Sequence, residues 1–134
     1  YSLTNVMIGK NEPNVIAILD WELSTLGDPC ADFNYHCLQY TMNPKLADKD
    51  YCKNQGIPVI DDYVKMYSDK IEIDLTEEWD LYSAYNLFKL AGILQGILGR
   101  VRDGTAAHEN AAERASGVRN LSDKAWDLVE KNFL

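Results

Sequence analysis

Apolar residues run along this chain in two rhythms. Near the start they form short blocks, residues 3–8 and 15–19, divided by the turn-forming stretch GKNEPN. The pair predicts a small β-hairpin. Val15, Ile16, Ala17, Ile18 and Leu19 show no alternation, which predicts a strand covered on both faces. Beyond residue 29 the spacing changes to threes and fours, the period of packed helices.

Asp28 followed by Pro29 predicts a capped helix over residues 30–41, with Phe33, Cys37, Leu38 and Tyr40 near helical spacing and Asn43-Pro44 as its stop. Residues 43–57 carry no period and read as a loop with a turn of helix. Pro58 opens a helix to about residue 69, with Ile60, Tyr63, Val64 and Tyr67 on one face. Thr76 is positioned to cap the longest helix, with Glu77 and Glu78 at its positive end. There Trp79, Tyr82, Leu87, Leu90, Ala91, Leu94, Leu98 and Val101 form a face broad enough for the centre of a core. Gly92, Gly96 and Gly99 within it predict close approach of a neighbouring helix. A polar link containing His108, expected to be solvated, leads into a last helix from about residue 107 or 109 to 132. Val118, Leu121, Trp126 and Val129 point inward in this reading. The sum is an α+β fold, mostly α: a short hairpin followed by four or five packed helices.

The chain has 134 residues, 46% hydrophobic and 25% charged, which suits one domain with a real core. Thirteen basic and 21 acidic residues give a net charge of -8. That field disfavours nucleic acid, although a small anion such as ATP can still bind through a metal ion and a few donors. Cys30, Cys37 and Cys52 lack metal-binding or paired spacing and read as reduced packing residues of an intracellular protein. No apolar run reaches the roughly 20 residues needed to span a bilayer. The opening lacks both an initiator Met and a signal-peptide pattern, as expected of a processed chain or an excerpt of a longer one.

Asp20 and Glu22 stand directly after the apolar strand. Either is a solvated turn acid or a ligand for a hard cation such as magnesium, which one or two carboxylates hold together with phosphate oxygens. Composition does not choose between them. The stretch LDWELSTLGDPCADF, together with FKLAGILQGILGR at residues 88–100, resembles the aminoglycoside phosphotransferase and choline kinase-like superfamily, which shares the architecture of protein kinases. The similarity is strongest to the branch represented by the phosphotransferase-like domains of acyl-CoA dehydrogenase family members 10 and 11. It is good over about residues 1–104 and looser in the final helix.

The resemblance implies the C-terminal lobe of a kinase-like fold without its N-lobe. Residues 1–20 would carry the catalytic-loop and metal-binding hairpin, and residues 29–134 the helical subdomain. YSLTN would be the end of the catalytic loop, making Asn5 a magnesium-binding amide, with the general-base Asp expected just before Tyr1. Asp20 would match the Asp that holds magnesium against the phosphates of ATP. Asp32 would brace the catalytic loop. Glu22 and His36 are weaker candidates for substrate contact, His36 being the more ordinary core histidine. Tyr82, Tyr85 and Gln95 are candidate walls of an acceptor pocket.

The implied activity is ATP- and Mg-dependent transfer of a γ-phosphoryl group to a hydroxyl of a small molecule. A hydroxyacyl group, as a coenzyme A thioester, is favoured over aminoglycoside or choline-like acceptors. The 134 residues alone are then expected to be inactive, and to meet an N-lobe or self-associate through an exposed apolar face. Mitochondrion, peroxisome and cytoplasm stay equally open. The alternative is a non-catalytic helical scaffold derived from the same fold.

Overall fold

The computed structural model describes residues 2–22, 24–107 and 110–134. The block at residues 3–8 is only half strand. The Ser2 side chain accepts the Thr4 amide and closes a 3-10 turn, Leu3–Asn5, so pairing begins at β1 (Val6–Ile8). Its partner is β2 (Val15–Ile18), antiparallel, with Val6 opposite Ile18, Met7 opposite Ala17 and a bulge before Ile8.

The expected burial of β2 is overturned. Val15, Ile16 and Ile18 are 58%, 63% and 41% exposed. Among the described residues the sheet has only these two strands, and each packs mainly on the other, so their apolar side chains stay at the surface.

The helical body is built on local signals. Asp28 Oδ1 accepts the amides of Cys30 and Ala31 at 2.8 and 3.4 Å, and α1 (Pro29–Met42) starts at Pro29 as the spacing predicts. In place of a loop, the next stretch forms two short helices, α2 (Pro44–Ala47) and α3 (Lys49–Asn54), capped by Asn43 and Asp48. Both are too short to show a period. α4 (Ile60–Ile71) begins two residues after Pro58, whose carbonyl accepts the Tyr40 hydroxyl at 2.8 Å.

Thr76 does not cap α5 (Trp79–Arg102). Its amide and hydroxyl both donate to Asp74 Oδ1, which closes a separate turn and leaves Glu78 as the cap. The chain ends in α6 (Ala111–Arg114) and α7 (Val118–Phe133) rather than in one continuous helix. His108 lies outside the described residues.

Among the described residues two apolar clusters form the core. Cys30, Phe33, Cys37, Val64 and Leu75 make the first, where the Phe33 ring stacks on Tyr67 with centroids 3.8 Å apart. Leu38, Leu87, Ala91, Leu121 and Ala125 make the second. All three cysteines are buried free thiols. Leu121, Ala125 and Leu128 set the inward face of α7 at helical spacing, so Trp126, about 100° off that line, is 55% exposed rather than inward. Among the described residues no helix is long and apolar enough to cross a membrane.

α5 does stand at the centre, between α1 and α7. Its glycines, however, do not admit a neighbour: a Cβ at Gly92 or Gly99 would meet nothing within 4 Å. Gly92→Ala is therefore expected to raise stability by about 0.5–1 kcal/mol, the difference in helix propensity. Urea unfolding of the two chains reads it directly, and a loss of stability would show that something does pack there.

Candidate functional site

The backbone leaves β2 through a strained turn. Asp20 has φ 68°, in the left-handed region, where most side chains cost about 1 kcal/mol and Asp is among the better tolerated. Two bonds hold the turn: the Leu19 amide donates to the Asn5 carbonyl at 2.8 Å, and the Trp21 indole donates to the Ile18 carbonyl at 2.7 Å. The hairpin register then brings together two side chains 15 residues apart in sequence. Asn5 Nδ2 donates to Asp20 Oδ2 at 3.0 Å.

This pair lines one wall of a cleft of about 760 Å³. The start of α1 supplies Asp28, Asp32 and Tyr35 to the cleft, and α5 supplies Tyr85, Asn86 and Lys89. Asp28 has a second task besides capping. Its Oδ2 accepts the Tyr82 hydroxyl at 2.8 Å, which ties the end of the loop after Asp20 to α5. That hydroxyl, with the Cys30 amide, holds the Asp28 carboxyl below the usual carboxylate range, and the same bond pushes the Tyr82 phenol up.

Of the residues singled out from sequence, Asn5, Asp20, Asp28, Asp32 and Tyr85 converge on the cleft. Glu22 is exposed on the turn, and neither it, Gln95 nor His36 is among the described residues that line the cleft. His36 is half-buried, its Nε2 3.2 Å from the Tyr63 hydroxyl and its ring edge-on to the Tyr63 ring. Burial lowers its pKa, which favours the neutral ring.

Reading the sequence missed the residues that join the two helices behind this wall. Asn86 Nδ2 donates to the Ala31 carbonyl at 2.8 Å and to Asn34 Oδ1 at 3.0 Å, while Asn34 Nδ2 donates to Ser83 Oγ at 2.9 Å. Both asparagines are 1% exposed. The available signal was a polar side chain set into an apolar helical face. Lys89 and Tyr35 gave none, since a lysine on a helix ordinarily reads as solvated.

One carboxylate and one amide beside an open cleft suit a hard cation that also takes water and phosphate oxygens. No group of three or more His, Cys, Asp or Glu among the described residues could hold a metal ion, so a cation here would depend on its ligand for much of its coordination.

The profile of the phosphotransferase enzyme family matches residues 1–85. Acyl-CoA dehydrogenase family member 10 of Mus musculus is 35% identical over 137 residues, covering 98% of this chain and 13% of that protein. Acyl-CoA dehydrogenase family member 11 of Homo sapiens is 31% identical over 137 residues, 99% of this chain and 18% of that protein. Probable acyl-CoA dehydrogenase IBR3 of Arabidopsis thaliana is 32% identical over 139 residues, 97% of this chain and 16% of that protein. The chain thus spans less than a fifth of the length of these relatives. No solved structure matches it.

Proposed function

The chain belongs to the phosphotransferase enzyme family, and from that premise we propose that it is the C-terminal-lobe part of a kinase-like domain that moves the γ-phosphoryl group of ATP to a small-molecule hydroxyl. The observation that carries this reading is the Asn5–Asp20 contact at 3.0 Å, made by a left-handed aspartate at a strand end. Strain of this kind persists where surrounding structure enforces it and is concentrated at functional sites.

In this reading Asn5 and Asp20 hold magnesium. The metal would neutralise charge that grows on the transferred group. The protein's own part is positioning. β2 delivers Asp20, the Asn5 amide orients its carboxylate, and the Trp21 indole bond limits how far the turn can swing. Asp32, on the facing helix, braces the catalytic loop. In this reading the proton of the acceptor hydroxyl passes to the family's general-base aspartate.

The relatives are named for acyl-CoA chemistry, which supports a hydroxyacyl group as acceptor over a cationic sugar or choline. The test is transfer of labelled γ-phosphate from ATP in the full-length gene product, offered hydroxyacyl-coenzyme A thioesters, choline and an aminoglycoside. Magnesium-dependent labelling of a hydroxyacyl compound is the expected result. ATP that stays intact with all three acceptors would overturn the reading and leave a non-catalytic module.

A further inference from the structure

Lys89 is the single Lys or Arg among the described residues lining the cleft, which also presents Asp20, Asp28 and Asp32. Its ammonium lies 5.0 Å from the centroid of the Tyr35 ring and forms no ion pair among the described residues. Two of these acids have other engagements. Asp20 accepts from Asn5, and Asp28 from its cap amides and Tyr82. A cation in a cleft that also presents three carboxylates, in a chain of net charge -8, resting on an aromatic face instead of in a salt bridge, is kept available for another anion.

Its place along the cleft gives that anion an address. On the cleft side, contacts between α1 and α5 advance in the same sense: Asp28 with Tyr82, Ala31 with Asn86, Tyr35 with Lys89. Seven residues of helix separate Asp28 from Tyr35, about 10 Å along the axis. The Tyr35–Lys89 contact therefore lies about two helical turns on from Asp28, where the loop that follows Asp20 ends.

We propose that Lys89, backed by Tyr35, binds an anionic group of the acceptor, a carboxylate or a phosphate several carbons removed from the hydroxyl that is phosphorylated. This rests on the proposed phosphotransfer for the meaning of "acceptor", but the anion site can be measured without turnover. Asp28, about two turns back along α1, repels such a group, so the charge on Lys89 also sets the direction in which the molecule lies. A charge-assisted contact of this kind is worth about tenfold or more in affinity.

The experiment is calorimetric titration of the full-length gene product, without nucleotide, with four matched probes: 6-hydroxyhexanoate, the monophosphate of 1,6-hexanediol, 1,6-hexanediol itself and 6-amino-1-hexanol. At least one anionic probe should bind about tenfold more tightly than the diol, and the amine most weakly. The tighter of the two anions identifies the group. Lys89→Gln should remove the preference and Lys89→Arg restore it. Lys53→Gln, on an exposed residue that does not line the cleft, should leave it intact.

The proposal is overturned if no probe binds, if the preference is absent or survives Lys89→Gln, or if the amine binds best. It is equally overturned if Lys89→Gln weakens ATP binding and leaves the acceptor probes unchanged. An anion preference without any phosphoryl transfer would keep this site and remove the catalytic reading.

Discussion

Asp20→Asn in the full-length gene product is expected to lower magnesium-dependent phosphoryl transfer by at least about 10²–10³-fold, the range seen when one preorganised hydrogen-bond donor is removed from a transition state. Asn is the informative replacement. Asp20 has φ 68°, and Asn shares the tolerance for that conformation, whereas Ala would add backbone strain to the loss of charge. The side-chain oxygen that accepts from Asn5 can also be kept. Melting should therefore change by less than about 0.5 kcal/mol, as for a surface substitution, while the rate collapses. A variant with near-normal turnover would remove Asp20 from the chemistry, and one that fails to fold would mark it as structural.

Asn86→Leu is expected to be the most destabilising single change on the helical side of the cleft, by about 2–4 kcal/mol. It removes one buried and one part-buried hydrogen bond and leaves Asn34 Oδ1 without its donor, and an unsatisfied buried acceptor costs about 1–3 kcal/mol on top of the bonds lost. For a chain of this size that is roughly a 10 °C fall in melting temperature. Asn34→Leu should cost a similar amount. Replacing both leaves no stranded amide, so the double variant should lose clearly less than the two singles added together. Strict additivity in urea unfolding would mean that the asparagines act separately and the network has no joint role.

How much of this was legible from residues alone differs from element to element. α1 was readable because Asp28 and Pro29 announce its start and Phe33, Cys37 and Leu38 repeat at helical spacing. α2 and α3 were not, because neither completes two turns and so neither can display a period. The exposure of β2 was invisible for a different reason. An unbroken apolar run looks the same whether or not another layer covers it, since covering is a property of tertiary contacts. The glycines of α5 were misread in the same way: small residues permit close approach but do not compel it.

The site divides along similar lines. Asn5 and Asp20 were picked out through a family resemblance, and their contact follows from the hairpin register. The left-handed turn at Asp20 has no signature in the residues around it. Lys89 and Tyr35 meet only because α1 and α5 pack side by side, a pairing that no local pattern encodes.

The bond from the Trp21 indole to the Ile18 carbonyl, 2.7 Å long, gives this molecule an optical property. The ring is 64% exposed yet tethered next to Asp20, and Trp79 sits half-buried in the core while Trp126 lies on α7. Emission from Trp21 can therefore report on the Asp20 turn: its wavelength follows water at that turn, and its depolarisation follows the freedom of the strand end. In the proposed reading, the fold has placed a fluorophore beside the residue that would hold the cation.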